Sequence, residues 1–246
     1  EAENAERSTS NAQPRIQSSQ FGMRRLLGLF CIAAAALPLE YAPAAKRESS
    51  NVITILSLGD SLTAGYGLPR TQAFPALLTE KIRAADIRAD VINAGASGDT
   101  TGNALRRLPN FLRHKVDILV IELGINDAFR GVPVETIRGN LQAIIDQTRA
   151  KWPKVEIIIA GMQVPLFAND PYVLAFSEMF GDLAEKNHSA LIPFFLKGVG
   201  GDPTLNQADR IHPNAAGQRV LAETVWRALE PVLQKVASAN TAARVE

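Results

Sequence analysis

The sequence has few of the side chains that form disulfides or bind soft metal ions. Its 246 residues include one cysteine, Cys31, and three histidines, at positions 114, 188 and 212. One thiol cannot form an intramolecular disulfide. The histidines are far apart and no pair of cysteines accompanies them, so the ligand spacing typical of a zinc site is absent. We therefore predict a protein that works without a metal ion or another cofactor.

The sequence also lacks an excess of charge of either sign. Its 26 Lys and Arg residues against 25 Asp and Glu residues leave a formal net charge of +1. Such a chain has no strong field to attract a polyanion, so nucleic acid is not an expected partner. A hydrophobic fraction of 46% with 21% charged residues is typical of a globular domain. We predict a single domain over residues 45–246, acting as a monomer.

No apolar run in the N-terminal region is long enough for a permanent membrane span. A mostly apolar stretch of twelve residues, 26–37, follows Arg24 and Arg25 and precedes Ala42-Pro43-Ala44. Twelve helical residues span about 18 Å, short of the roughly 30 Å hydrocarbon core. Basic residues, a short apolar run and a small-x-small tripeptide are the layout of a signal peptide, which we predict for residues 23–44.

The predicted leader implies a periplasmic or secreted protein with no stable membrane anchor after its removal. The preceding residues, 1–22, are polar and carry no hydrophobic pattern, so they are predicted to be disordered. The alternative for the apolar run is an N-terminal core helix, which the two arginines and the cleavage pattern disfavour.

From Val52 onward, short apolar runs alternate with longer segments of helical spacing. Strands are predicted at 52–58, 89–94, 117–123, 155–160 and 190–194, and helices at 72–86, 101–113, 134–151, 171–187 and 213–236. Alternating strands and helices predict a parallel sheet, and nearly continuous apolar strands predict helices on both of its faces. The predicted fold is an α/β protein, a three-layer α/β/α sandwich with a five-stranded parallel sheet.

Polar and small residues follow four of the predicted strands, where ligands bind in open parallel sheets. The four groups are Gly59-Asp60-Ser61, Gly95 to Thr100, Gly124-Ile125-Asn126-Asp127 and Asp209 to Asn214. Each alone has an ordinary explanation as a turn or a helix cap. Their occurrence together at one edge of the sheet favours a functional site.

The residue types in these groups fit nucleophilic catalysis. A serine hydroxyl needs an imidazole to take its proton, and the imidazole needs a carboxylate to fix its tautomer. Ser61, His212 and Asp209 can fill these roles, and a spacing of three residues lets one turn bring Asp209 to the far ring nitrogen of His212. The amides of Ser61 and Gly98 and the side chain of Asn126 are the candidate oxyanion donors.

Other polar residues near these groups have simpler roles. Asp60 adjoins the nucleophile but is predicted to stabilise the turn, and Asp99 and Asp127 to cap helices or brace loops. His114 and His188 precede strands at the opposite edge of the sheet and are predicted to be solvated turn residues. The segment around Ser61 also lacks the second glycine of the G-x-S-x-G motif of α/β-hydrolases.

The four groups resemble the blocks of the GDSL, or SGNH, hydrolase superfamily. Ser61 in GDSLT, Gly98 in GASGDTT, Asn126 in GIND and His212 in DRIHPN occur in the family's order, and ILSLGDSLTAGYGL and LVIELGIND are similar to its bacterial thioesterase I, lysophospholipase L1 and arylesterase branch. The resemblance implies the flavodoxin-like SGNH fold, the triad Ser61, Asp209 and His212, and an oxyanion hole of Ser61, Gly98 and Asn126. Ile125 departs from the glycine or alanine of many relatives.

The expected substrate is a small molecule, an acyl ester or thioester and, by resemblance, a lysophospholipid. Apolar residues in the loops after the third and fourth strands are candidate substrate contacts: Phe129, Val132, Pro165 and Leu166. Two alternatives remain at this point, a carbohydrate acetylesterase of the same fold and a non-catalytic binding protein of flavodoxin-like fold.

Overall fold

A five-stranded sheet forms the centre of the molecule. The computed structural model describes residues 52–164 and 170–242. The strands are β1 (Ile53–Gly59), β2 (Ala89–Gly95), β3 (Ile118–Glu122), β4 (Glu156–Ala160) and β5 (Ala190–Ile192). All pairs are parallel and the order across the sheet is β2-β1-β3-β4-β5. The predicted α/β fold with a five-stranded parallel sheet is confirmed.

Burial follows position in the sheet. Every residue of β3 is buried, as are six of the seven in β1, whereas β2 at one edge has a single buried residue. Central strands of a parallel sheet are covered on both faces, which is why their sequences read as continuous apolar runs. The one charged residue in the buried run of β3 is Glu122.

Helices cover both faces of this sheet. They are α1 (Ser61–Ala64), α2 (Phe74–Ala84), α3 (Thr101–Phe111), α4 (Ile125–Phe129), α5 (Val134–Lys151), α6 (Pro171–Lys186) and α7 (Ala215–Ala242), with a 3₁₀ turn at Arg70–Gln72. The helix α2 packs on α7, while α5 packs on both α3 and α6. No helix within the described ranges is long and apolar enough to cross a membrane.

Several local features differ from the sequence prediction, and the last helix, α7, ends at Ala242 rather than at residue 236. The one-turn helices α1 and α4 were not predicted, because four or five residues are too few to show a hydrophobic period. The strand β5 ends at Ile192 rather than at residue 194, because Pro193 has no backbone N–H to continue the ladder. The apolar signal at 193–194 therefore belongs to a loop.

The order of the strands determines where a site can form. The chain runs from β1 outward to β2 and then returns across the sheet to β3, so the direction of winding reverses between β1 and β3. A crevice forms beyond the carboxyl ends of the strands at such a reversal. Ser61 follows β1 and Asn126 follows β3, so both lie at this point.

Several sequence predictions concern residues outside the described ranges. They are the extension at 1–22, the signal peptide at 23–44, and the candidate substrate contacts Pro165 and Leu166. These remain predictions.

Close packing at the end of β2 gives a first test. A Cβ atom on Gly95 would collide with the backbone of Ala64 in α1, whereas a Cβ on the exposed Gly139 in α5 would meet no atom within 4 Å. We expect Gly95→Ala to lower the free energy of unfolding by about 1–3 kcal/mol, the usual cost of overpacking. Gly139→Ala is the matched control and should raise it by about 0.5–1 kcal/mol. Urea denaturation measures both, and equal effects would contradict the packing described.

Candidate active site

A one-turn helix presents Ser61 at the end of β1. Ser61 is the first residue of α1, and the preceding Asp60 caps the helix by accepting a hydrogen bond from the Leu62 amide at 2.9 Å. Gly65 ends the helix in the left-handed conformation, at φ 73°. Because both ends of the helix are fixed within six residues, the Ser61 hydroxyl has a defined direction at the edge of the sheet.

A tight turn joins Asp209 to His212. Arg210 has φ 58°, and one carboxylate oxygen of Asp209, Oδ1, accepts the amides of Ile211 and His212, each at 3.0 Å. The other oxygen, Oδ2, lies 2.7 Å from Nδ1 of the His212 ring. The turn therefore brings the carboxylate to the far ring nitrogen of the histidine.

The same histidine reaches Ser61. Its Nε2 lies 3.0 Å from Ser61 Oγ, across 151 positions of sequence. Hydrogen bonding from His212 is the main cause that lowers the pKa of Asp209 from 3.8 to about 2. A carboxylate at Nδ1 favours the tautomer with the proton on that nitrogen, in which Nε2 can accept a proton from a serine hydroxyl.

Three further contacts hold the loops around the site, and the sequence analysis predicted none of them. The Tyr66 ring packs against His212, with ring centroids 4.5 Å apart, and Gln207 donates a hydrogen bond to the Tyr66 carbonyl at 2.6 Å. Arg130 donates to the Gly98 carbonyl at 3.0 Å. The loop after β1 is therefore joined to the segment that carries His212, and the loop after β2 is joined to the end of α4.

The candidate oxyanion donors share one property. Within the described residues, the amides of Ser61 and Gly98 have no hydrogen-bond acceptor. Gly124, with φ 116°, precedes α4, and Asn126 is the second residue of that helix. One of the two side-chain N–H groups of Asn126 donates to Asp60 Oδ2 at 2.9 Å. The second N–H is left for another partner. Unpaired donors of this kind are what a developing oxyanion requires.

Asp99 and Asp127 brace loops, as the sequence analysis predicted. Asp99 forms an ion pair with Arg107, which also donates to the Gly59 carbonyl at 3.0 Å. Asp127 accepts from the amide and the hydroxyl of Thr101, at 2.8 and 2.7 Å. These contacts join the start of α3 to the ends of β1 and β3.

The two other histidines lie away from this cluster. His114 is exposed after α3, and His188 is exposed in the turn before β5 with φ 49°. Both are the solvated turn residues that the sequence indicated.

Two buried carboxyl groups lie close to the turn that carries Ser61. Asp60 and Glu122 are both fully buried. Burial raises the pKa of Asp60 from 3.8 to about 6, although hydrogen bonds from Leu62 and Asn126 oppose the shift. Burial, and then the charge of Asp60, raise the pKa of Glu122 well above its usual range. The sequence analysis missed Glu122, although a charged residue ending an apolar strand is a signal in itself.

The described candidate substrate contacts differ in exposure. Phe129 is 58% exposed at the end of α4, close in sequence to Asn126. Val132 is partly buried against the core, and its carbonyl accepts a hydrogen bond from the Tyr172 hydroxyl at 2.7 Å. Of the two, Phe129 is the side chain available to a ligand.

Comparison with known proteins identifies the family. The model of the GDSL-like lipase/acylhydrolase family matches residues 57–220, more than half of the chain. The chain belongs to this family. The predicted superfamily and the predicted enzyme class, a carboxylic ester hydrolase, are therefore confirmed for this GDSL hydrolase.

Named relatives share long stretches with this GDSL hydrolase. It is 39% identical over 212 residues to Esterase TesA of Pseudomonas aeruginosa, covering 86% of this chain and all of the relative. It is 36% identical to an arylesterase of Vibrio mimicus, covering 84% and 98%. It is 35% identical to thioesterase 1/protease 1/lysophospholipase L1 of Escherichia coli K12, covering 73% and 85%.

Solved structures agree with this family and with the observed fold. The crystal structure of TesA superposes with a TM-score of 0.69 at 39% identity, covering 73% of this chain and 99% of the other. The esterase EstA from Pseudoalteromonas sp., solved in a form inhibited by monoethylphosphonate, gives 0.68 at 32% identity, covering 74% and 98%.

The buried Asp60 predicts a pH dependence of stability. The folded GDSL hydrolase keeps a proton on Asp60 up to about pH 6, whereas an ordinary aspartate releases it near pH 3.8. Its contribution to the free energy of unfolding therefore falls as the pH rises from about 4 to about 6, by up to about 3 kcal/mol. Asp60→Asn removes this titration, so the variant should gain stability relative to the wild type across that range.

Urea denaturation at about pH 4, 5, 6 and 7 measures the difference between the two proteins. Asp209→Asn is the contrasting control, because the pKa of Asp209 is lowered. The contribution of Asp209 to the free energy of unfolding should be present above about pH 4 and should be lost as the pH falls toward 2. A difference between Asp60→Asn and wild type that is independent of pH would contradict the assignment.

Proposed function

We propose that this chain is an exported esterase and thioesterase that hydrolyses acyl esters, acyl thioesters and lysophospholipids. Ser61 is the nucleophile, His212 the general base and Asp209 its orienting carboxylate. The observation that carries the proposal is the hydrogen-bonded chain Ser61–His212–Asp209, with contacts of 3.0 and 2.7 Å. The names of the esterase and thioesterase relatives support the substrate class.

The proposed reaction has two halves. Ser61 Oγ attacks the carbonyl carbon while its proton passes to His212 Nε2, and the carbonyl oxygen becomes an oxyanion. The amides of Ser61 and Gly98 and the free N–H of Asn126 stabilise that charge. Collapse of the intermediate breaks the bond to the alcohol or thiol, which receives the proton from His212. Water then attacks the acyl-serine by the same route and releases the carboxylic acid.

Exposed apolar side chains support an acyl substrate. In the described part of the chain the exposed large hydrophobic residues are Tyr66, Phe129, Leu174 and Ile211. Tyr66 contacts His212, Ile211 adjoins it, and Phe129 lies on the helix that carries Asn126. Apolar surface beside a nucleophile favours a hydrocarbon group over a sugar. The signal peptide proposed at 23–44 would place the enzyme in the periplasm or outside the cell.

Hydrolysis of p-nitrophenyl esters from acetate to palmitate tests this function. We expect turnover with an optimum at short to medium acyl chains, and we expect Ser61→Ala to abolish nearly all of it. The fold should be retained, since a partly exposed hydroxyl contributes little to the core. Ser177→Ala in α6 is the matched control and should leave activity unchanged. Activity of Ser61→Ala near the wild-type level would refute the nucleophile, and a preference for acetate or acetylated sugar would indicate an acetylesterase.

Removal of one oxyanion donor gives a graded prediction. Asn126→Ala should lower kcat by about 10²- to 10³-fold, the usual effect of losing such a donor, with a much smaller change in KM. Steady-state kinetics on the best ester of the series measures both constants. An effect confined to KM would make Asn126 a residue that binds the substrate in its ground state.

A further inference from the structure

A buried carboxyl group packs against the turn that carries Ser61. Glu122 ends β3 in register with Gly59, the last residue of β1. Its Oε2 accepts the Thr63 hydroxyl at 2.7 Å, the Thr63 amide at 3.2 Å and, more weakly, the Asp60 amide at 3.4 Å. A Cβ on Gly59 would lie 2.7 Å from the same oxygen, so glycine at 59 makes room for this contact.

These hydrogen bonds help to leave a single amide of the turn without an acceptor. Within the described residues, each amide from 60 to 64 has an acceptor except that of Ser61; the pairs are Asp60 to Glu122, Leu62 to the Asp60 carboxyl, Thr63 to Glu122, and Ala64 to the Asp60 carbonyl. The anchored amides flank Ser61 on both sides. A rotation of the turn that moved Ser61 would have to break bonds to Glu122.

We propose that Glu122 is a positioning residue of the hydrolase, which holds the turn at 60–63 through Thr63 and the Asp60 amide so that Ser61 faces both His212 and the oxyanion. This inference rests on the function proposed above and adds a residue to its machinery. Glu122 acts through the turn and does not touch the substrate.

The charge of Glu122 would also affect the proposed oxyanion. A second buried negative charge beside Asp60 would oppose an oxyanion that forms on the adjacent turn. Burial and the charge of Asp60 raise the pKa of Glu122, and its Oε1 has no partner among the described residues. Besides Glu122, the titratable groups that influence Asp60 are His212 and Asp99, and Arg107 donates a hydrogen bond to the Gly59 carbonyl. Burial therefore disfavours a negative charge at Glu122, and glutamine, which keeps an oxygen acceptor without a charge, should replace it.

Two substitutions at this position separate anchoring from charge. Glu122→Ala should lower kcat by about 10- to 100-fold, because small misplacements of a nucleophile have effects of this size, while KM changes less than about threefold. Glu122→Gln keeps an oxygen acceptor and should retain kcat within about threefold, with an unchanged pH profile. Glu156→Gln, at the opposite end of the sheet, is the matched control and should behave as wild type.

Thr63→Val keeps the proposal testable if Glu122→Ala does not fold. It removes one hydroxyl donor without changing side-chain shape and should lower kcat about five- to tenfold, the effect of losing one hydrogen bond. Wild-type kcat in Glu122→Ala or in Thr63→Val would overturn the proposal, as would an equal loss in Glu122→Gln and Glu122→Ala. The wild type is assayed in parallel. If it hydrolyses no ester or thioester, the proposed function itself has failed; if it hydrolyses them, the variants test the role of Glu122 alone.

Discussion

The end of the central strand β1 is the point on which the site depends. Gly59 is in register with Gly95 of β2 on one side and Glu122 of β3 on the other, so three strands end at the same level. A side chain on either glycine would collide with residues of α1. Because no side chain occupies this space, α1 can lie across the strand ends and place Ser61 at the edge of the sheet where the loop with Gly98 and the helix with Asn126 follow β2 and β3.

Three carboxyl groups near this point differ in environment. Asp209 is partly exposed, is bonded to His212 and has a lowered pKa. Asp60 and Glu122 are fully buried and have raised pKa values. In the proposed mechanism, a stable carboxylate at Asp209 suits a histidine that becomes positively charged, whereas burial disfavours negative charge at Asp60 and Glu122, next to the turn on which the oxyanion forms.

The sequence predicts the strands and the residue blocks well because both are local signals. Apolar runs identified all five strands, and their order along the chain placed Ser61, Asn126 and His212 at one edge of the sheet. The contact between Glu122 and Thr63 could not be predicted in this way, because it depends on the register of β1 against β3. The Tyr66–His212 contact likewise joins segments far apart in sequence, and no local pattern specifies such a pair.

In the proposed mechanism, the reacting groups and the exposed apolar residues discriminate between substrates in different ways. Ser61, His212 and the amide donors would act on a carbonyl group, so a substrate without a carbonyl would not react. Phe129 and Tyr66 are 58% and 50% exposed, so an acyl chain lying on them stays partly in water. A fully buried methylene contributes about 0.8 kcal/mol, or about fourfold in binding, and a half-exposed surface recovers less. If the proposed function holds, acyl length should therefore change affinity gradually along this surface, whereas the requirement for a carbonyl should be strict.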